Sequence, residues 1–207
     1  MQSSLSASLA DLVRGMRTCE QAPGLSVLAH GIAVRDRYAA LLAHLRHGRP
    51  LPGTWKLPSW IGDSRLLQGL PPDEVMACYH VMHDCGKPAC LVVDEQGRRH
   101  FPDHARVSER LWLDADGDPR VGRLIGMDMD VHLLRPEGVA AFAQRPEAGA
   151  LLLTGVSEVH ANAAMFGGFA SESCKIKLKH LERRGRHVLA AMPPGDEALI
   201  ARAGGGA

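Results

Sequence analysis

A helical run that ends abruptly in Gly-Lys-Pro constrains this chain more than any other feature. Residues 79–88 read Tyr-His-Val-Met-His-Asp-Cys-Gly-Lys-Pro. Gly86 lets a helix end and Pro88 prevents it from continuing, so the sequence predicts a helix end just after His83 and Asp84. Because adjacent helical residues diverge by about 100°, these two side chains can both lean toward one side.

The residue types in this run favour a metal site. Imidazole and carboxylate groups are ligands for divalent first-row metals, and a carboxylate such as Asp84 can bridge two ions. Lys87 would then lie at the rim, where an ammonium group can hold a phosphate oxygen. His80 lies one turn before His83 on nearly the same face. It is a candidate to bind phosphate, to donate a proton or to support the ligands from behind.

Helical spacing of apolar residues recurs through most of the chain, and turn residues separate the segments. Ser26 is expected to cap the second helix, Pro72 precedes the helix that carries His83, and His104 opens a later helix. The long segment 48–72 is rich in Pro and Gly and is predicted to be an irregular connection. Residues 91–101 are predicted to form a short β-hairpin around Asp-Glu-Gln-Gly. The remaining predicted helices cover residues 5–17, 121–134, 137–142 and 151–166.

Composition agrees with one globular domain over residues 1–207, with a core at about residues 26–187 and a flexible C-terminal tail. Apolar residues make up 45% and charged residues 23% of the 207 residues, which is ordinary for such a domain. The five cysteines are odd in number and form no dense framework, so a reducing cytoplasm is expected. No apolar run is long enough for a membrane span, and the N-terminus lacks the features of a signal peptide.

The motif around His83-Asp84 resembles the HD superfamily of metal-dependent phosphohydrolases. The similarity continues through the string HDCGKP, then DEQG at residues 94–97 and HFPDH at residues 100–104. This extended pattern is similar to the HD modules of bacterial RNA end-healing proteins, in which such a domain can be fused to a polynucleotide kinase. The resemblance implies an all-α HD-type helical bundle with one short β-hairpin.

The resemblance also implies a set of site residues. His30 falls where the family places its first metal histidine, and His104 resembles the histidine that recruits a second ion, with Asp84 bridging. The implied metal ligands are therefore His30, His83, Asp84, His104 and a late carboxylate. Asp84, Lys87 and His80 are the candidate catalytic residues, and Ser108, one turn past His104, is expected to face the same pocket and to contact substrate.

The late ligand is the least constrained member of this set. Asp128 lies where the alignment with the family would place it and is preferred here. Many relatives carry a histidine at this point and place the terminal aspartate on a later helix. Asp130, Glu158 and His160 are the alternatives that this chain offers. One or two ions of Mn²⁺, Fe²⁺, Co²⁺, Ni²⁺ or Zn²⁺ are compatible with the donor set.

The substrate expected from the resemblance is RNA with a 2′,3′-cyclic phosphate or a 2′- or 3′-phosphate at its end. Between residues 173 and 187 six lysines and arginines face a single Glu182, and Lys175 and Lys177 are candidates to follow a phosphate backbone. A solvated helix face explains the same run equally well. The alternatives are a phosphohydrolase of (deoxy)nucleoside mono- or triphosphates and a degenerate module that binds RNA or nucleotides without chemistry. A kinase or ligase would be a separate chain, and no membrane partner is expected.

Overall fold

The computed structural model describes residues 8–195 of the chain. These residues are mainly helical, with two short antiparallel strand pairs, which confirms the predicted helical class. They form two compact units, the first made of residues 8–39 and 72–129 and the second of residues 40–71 and 130–195. The expected single domain stays a prediction, and the expected C-terminal tail lies outside the described residues.

The first unit opens with helix α1, Leu9–Thr18, and a hairpin. Ser8 caps α1 and exchanges hydrogen bonds with Asp11, which satisfies backbone groups at the helix start. The predicted helix start at residue 5 lies outside the described residues. After α1, strands β1, Glu20–Ala22, and β2, Leu25–Ser26, pair antiparallel. The sequence predicted only that the first helix ends before these residues, and the hairpin was missed.

Helix α2, Val27–His47, follows directly and contributes residues to both units. The Ser26 hydroxyl accepts a hydrogen bond from the N–H of Ala29 at 3.1 Å, so the predicted cap is confirmed. Gly31 on α2 approaches α3 so closely that a Cβ atom would lie 2.3 Å from the carbonyl oxygen of Val81. The absence of a side chain at Gly31 therefore sets the separation of the two helices next to His30.

Helix α3, Asp73–Met82, ends with His83 as its C-cap, so the predicted helix end lies within a few residues of the observed one. The prediction that α3 does not continue through Pro88 is confirmed, because residues 83–86 form a turn, but the short helix that follows was missed. Residues Lys87–Cys90 form the short helix α4, and Pro88 lies in its first turn. A proline is tolerated there because the N–H groups of a first turn have no partner within the helix.

Strands β3, Val92–Val93, and β4, Arg99–His100, form the predicted hairpin, and α5 then covers His104–Asp114. The sequence predicted one continuous helix over residues 121–134, and this was wrong because the structure contains two shorter helices there. Helix α6 covers Pro119–Gly126 and α7 covers Asp130–Leu133. The N–H groups of Met127 and Asp128 bond three residues back, a tightening that ends α6.

In the second unit, the predicted irregular connection contains one 3-10 turn, Ser64–Leu67, and another 3-10 turn, Pro136–Gly138, precedes helix α8, Val139–Ala143. Helix α9 covers Ala148–Ala161 and α10 covers Glu172–Ala191. Trp60 is buried against Gly185 and donates a hydrogen bond to the carbonyl of Glu182, which fixes the irregular connection to α10. No helix within the described part of the chain is both long enough and apolar enough to cross a bilayer.

Candidate metal centre

Asp84 lies at the centre of a buried cluster in the first unit. Its Oδ2 atom is 3.1 Å from Nε2 of His83 and 3.7 Å from Nε2 of His30. Its Oδ1 atom is 3.6 Å from Nε2 of His104. The two oxygens of one carboxylate thus face two different sets of imidazole nitrogens.

Close backbone contacts bring these side chains together. Gly31 lets α2 approach α3, and the rings of His30 and His83 lie 5.2 Å apart. At Gly86 a Cβ atom would lie 2.5 Å from the backbone nitrogen of Ser108, so only glycine allows the turn after Asp84 to touch α5. The Ser108 hydroxyl accepts a hydrogen bond from the Gly86 N–H at 2.8 Å. Ser108 is therefore buried in this turn and orients it.

Backbone carbonyls orient two of the histidines. Nδ1 of His83 lies 2.8 Å from the carbonyl oxygen of His80, and Nδ1 of His104 lies 3.0 Å from that of Phe101. Each Nδ1 must carry its proton to make this bond, which assigns the tautomer. In a neutral ring the Nε2 lone pair then faces Asp84, and metal-binding histidines are commonly oriented in this way.

The geometry around Asp84 favours a cation between these groups. Although Lys87 Nζ lies 2.7 Å from Oδ2, neither Asp84 oxygen accepts a hydrogen bond with good geometry from the described residues. The short contact between Lys87 Nζ and Asp84 Oδ2 is therefore an ion pair without a well-aligned hydrogen bond. Burial disfavours ionisation, but the charge of a protonated His83 and that of Lys87 outweigh it and hold the pKa of Asp84 well below its ordinary value. An ion bound by His83 would take the place of the proton on Nε2. A buried carboxylate with acceptor nitrogens beside both oxygens is a suitable position for a divalent ion.

Asp128 completes the cluster from the segment that follows α6. Asp128, Asp84 and His104 form a potential metal-binding group, and His30, His83 and Asp84 form a second one. Within each group the ligand atoms all lie within 4.8 Å of one another. The Tyr79 hydroxyl donates a hydrogen bond to Asp128 Oδ1 at 2.7 Å. Sequence reasoning missed Tyr79, although it lies four residues before His83 and so on the same helix face.

The alternatives to Asp128 have partners in the second unit. Asp130 forms an ion pair with Arg145, and Glu158 lies 2.5 Å from His132. Nε2 of His160 accepts a hydrogen bond from the N–H of Lys56 at 3.0 Å, and its ring stacks on Trp55. Asp128, by contrast, belongs to the unit that contains Asp84.

The other predicted site residues have different surroundings. His80 is buried with its ring 4.3 Å from that of Tyr38, and its carbonyl orients His83. Lys87 donates a hydrogen bond to Gln21 at 2.8 Å while it approaches Asp84. Burial lowers the pKa of His104, and Asp84 opposes this effect. A lowered pKa favours the neutral ring that a metal ligand requires.

Lys175 and Lys177 lie on α10 in the second unit and are exposed. Lys175 forms an ion pair with Glu172, and Lys177 Nζ lies 5.8 Å from the centre of the Phe166 ring.

Comparison of the chain with descriptions of protein families, with curated proteins and with solved structures found no match. The geometry of the cluster is therefore the main basis for assigning a function.

Proposed function

We propose that this protein is a metal-dependent phosphohydrolase whose reaction takes place at Asp84. The observation that supports the proposal is the pair of potential metal-binding groups that share this buried carboxylate. His30, His83 and Asp84 would hold one ion, and Asp84, His104 and Asp128 would hold a second. Mn²⁺, Fe²⁺, Co²⁺, Ni²⁺ and Zn²⁺ all suit imidazole and carboxylate ligands.

A divalent ion in such a site supplies Lewis-acid chemistry, which acidifies water and polarises a phosphoryl group. The chain's own residues would position the reactants around it. The carbonyls of His80 and Phe101 hold the rings of His83 and His104 in fixed orientations. Lys87 is held beside Asp84 by Gln21, where its ammonium group can neutralise a phosphate oxygen. His80 would support these residues from behind, and it is also a candidate proton donor.

The substrate we propose is RNA that ends in a 2′,3′-cyclic phosphate or a 2′- or 3′-phosphate. The resemblance of the HDCGKP and HFPDH strings to end-healing modules favours this class. Exposed Lys175 and Lys177 on α10 supply positive charge in a chain whose net charge is only +1. Removal of the terminal phosphate would leave hydroxyl groups for a separate kinase or ligase. The cysteine content favours a cytoplasmic enzyme.

The test is phosphate release from a short RNA with a 2′,3′-cyclic phosphate, in Mn²⁺, Co²⁺, Ni²⁺, Zn²⁺ and Mg²⁺ in turn. Asp84→Ala serves as the control and is expected to lose both activity and metal binding. Thermal unfolding with and without chelator checks metal binding independently, because an ion at 100 times its Kd stabilises the fold by about 2.7 kcal/mol.

Each outcome of this assay selects a different function. Metal-dependent release that Asp84→Ala abolishes supports RNA end processing. Silence on RNA with release from free deoxynucleotides supports the nucleotide phosphohydrolase and discards RNA repair. If no substrate is hydrolysed and no metal binds, while RNA or nucleotide still binds, the degenerate binding module is the correct assignment.

A further inference from the structure

A cleft of about 580 Å³ lies in the first unit beside the candidate metal centre. Two of its lining residues, Lys87 and His104, also approach the oxygens of Asp84, at 2.7 and 3.6 Å. Lys87 and His104 therefore belong both to the lining of the cleft and to the immediate surroundings of the buried carboxylate. Its volume lies within the range of about 300–1,000 Å³ that is typical of small-molecule sites.

The charged and titratable residues that line the cleft are basic. Lys87, Arg99, His100 and His104 line it, and none of the described residues that line it is acidic. Arg99 has a partner outside the lining, Glu20, at 2.8 Å, but both side chains of this pair are about one-third or more exposed. Such exposed pairs contribute little to stability, so a phosphate group can take the place of Glu20.

The remaining lining residues are apolar and come from the β3–β4 hairpin and the residues after it. Val92, Phe101 and Pro102 line the cleft, and the side chain of Val92 is solvent-exposed on strand β3. The Phe101 ring lies 5.2 Å from Lys87 Nζ, so an aromatic surface and a positive charge are adjacent. A nucleoside phosphate requires both, since its base stacks on aromatic rings and its phosphate binds cations.

We propose that this cleft binds the nucleoside that carries the scissile phosphate, with its base against Phe101 and Val92. Arg99 contacts a second phosphate group, either the backbone phosphate of an RNA end or a further phosphate of a free nucleotide. The position of the scissile phosphate at Lys87 and Asp84 rests on the proposed function. The binding of a nucleoside phosphate in the cleft can be measured without it.

The test measures equilibrium binding of adenosine 3′-monophosphate, inorganic phosphate and a short 3′-phosphorylated RNA to the full chain in the presence of chelator. Phe101→Ala is expected to weaken binding of the nucleotide about tenfold, because one base no longer stacks on an aromatic ring, and to leave binding of phosphate unchanged. Phe101→Leu keeps an apolar side chain without the ring and should weaken nucleotide binding nearly as much. Circular dichroism confirms that each variant is folded.

The hairpin offers matched controls for the other cleft residues. Val93 is as exposed as Val92, at 56% against 52%, but it does not line the cleft. Arg98 is also ion-paired, to Asp94, and does not line the cleft. Val92→Ser and Arg99→Gln should weaken RNA binding severalfold, whereas Val93→Ser and Arg98→Gln should leave it unchanged.

Tighter binding of RNA than of the mononucleotide identifies a strand end as the ligand, and equal affinities identify a free nucleotide; both results support the cleft. Equally weakened binding of nucleotide and inorganic phosphate in Phe101→Ala, or unchanged binding in all cleft variants, would overturn the proposal. If the cleft variants weaken nucleotide binding but no metal supports phosphate release, the proposed binding site is supported and only the proposed phosphohydrolase activity is rejected. If hydrolysis occurs with the same KM in the parent chain and in Phe101→Ala, only the proposed binding site in the cleft is rejected.

Discussion

The hydroxyl of Tyr79 donates a hydrogen bond to Oδ1 of Asp128 across 49 residues of sequence, at 2.7 Å. Both residues are buried. Tyr79 is on α3, the helix that leads into His83 and Asp84, and Asp128 follows α6. The hydrogen bond therefore ties the late carboxylate to the helix that carries the other ligands. Partners of this kind fix the orientation of a ligating carboxylate and tune its affinity for a metal.

Tyr79→Phe should weaken metal binding while it preserves the fold. Removal of a hydrogen bond that orients a ligand typically lowers metal affinity by about 10- to 100-fold. The free energy of unfolding of the metal-free protein should fall by about 1–3 kcal/mol, because the buried Asp128 carboxylate loses this donor. Titration with Mn²⁺ followed by electron paramagnetic resonance gives the affinity, and urea unfolding in chelator gives the stability.

An unchanged Mn²⁺ affinity in Tyr79→Phe would show that this hydrogen bond does not tune the metal site. Asp128→Asn, measured in the same titration, separates the two residues. If Asp128 is a ligand, Asp128→Asn should lower affinity more than Tyr79→Phe does. If the pair of Tyr79 and Asp128 has only a structural role, both variants should lose stability and keep their affinity for the ion.

Gly31→Ala should damage both stability and metal affinity. The new Cβ atom would lie 2.3 Å from the Val81 carbonyl oxygen, so helices α2 and α3 would have to separate. Overpacking of this kind typically costs about 1–3 kcal/mol. His30 moves with the helix, so Mn²⁺ affinity should also fall. Gly62→Ala is the matched control, because nothing lies within 4 Å of a Cβ atom there, and equal behaviour of the two variants would contradict the close-approach explanation.

Local spacing was sufficient to place the residues that lie close in sequence. His83, Asp84 and Lys87 lie at the junction of α3 and α4, and the hairpin followed by His104 was predicted from turn residues alone. The resemblance to the HD superfamily supplied His30 and Asp128, and the structure brings both near Asp84 or its neighbours. Residue spacing by itself gave no reason to combine segments so far apart.

The predictions from sequence differ from the structure where tertiary contacts, or residues with two common structural roles, determine the local structure. A proline can prevent one helix from continuing and can also start another; Pro88 was interpreted only in the first way, so α4 was missed. The apolar spacing of residues 121–134 continues through a break that hydrogen bonds three residues back create at Met127 and Asp128. The need for glycine at Gly31 is visible only when α3 is in place beside it.

The hairpin beside the cleft should loosen in acid between about pH 4 and pH 2. The hydrogen bond from His100, with those from the backbone of Arg98 and Gln96, lowers the pKa of Asp94 to about 2. An unfolded aspartate titrates near about 3.9, so the stabilising contribution of Asp94 is fully present above that pH and disappears as the pH falls toward 2. Carbon-13 NMR of the Asp94 carboxyl group measures this pKa directly.

His100→Gln provides the check on the cause. It removes the largest influence on Asp94, so the carboxyl group should then titrate closer to its ordinary value. Hydrogen exchange at the Arg98 amide, which donates to Asp94 Oδ1 at 2.8 Å, should accelerate below pH 4 in the parent chain. A carboxyl pKa near 3.9 in the parent chain would refute the assigned role of this turn.

Helix α10 should supply salt-dependent affinity for RNA. The pKa of His180 on this helix is lowered by partial desolvation and by the positive charges of its neighbours, which reflects the local excess of cations. Lys175→Gln with Lys177→Gln should therefore reduce the dependence of log K on log salt by about 0.7 for each phosphate group that is no longer neutralised, the single-strand value. Fluorescence anisotropy with a 3′-phosphorylated RNA at several KCl concentrations measures this slope.

Arg14→Gln with Arg120→Gln is the charge-matched control for the lysine pair. Both arginines are exposed and ion-paired, as Lys175 is, but they lie in the first unit. A reduced slope in both double variants would indicate only a general effect of net charge. A reduction confined to the variant of Lys175 and Lys177, with unchanged turnover of a free nucleotide, would identify α10 as an RNA-backbone surface rather than a solvated helix face, because only directed interactions with phosphate depend on position.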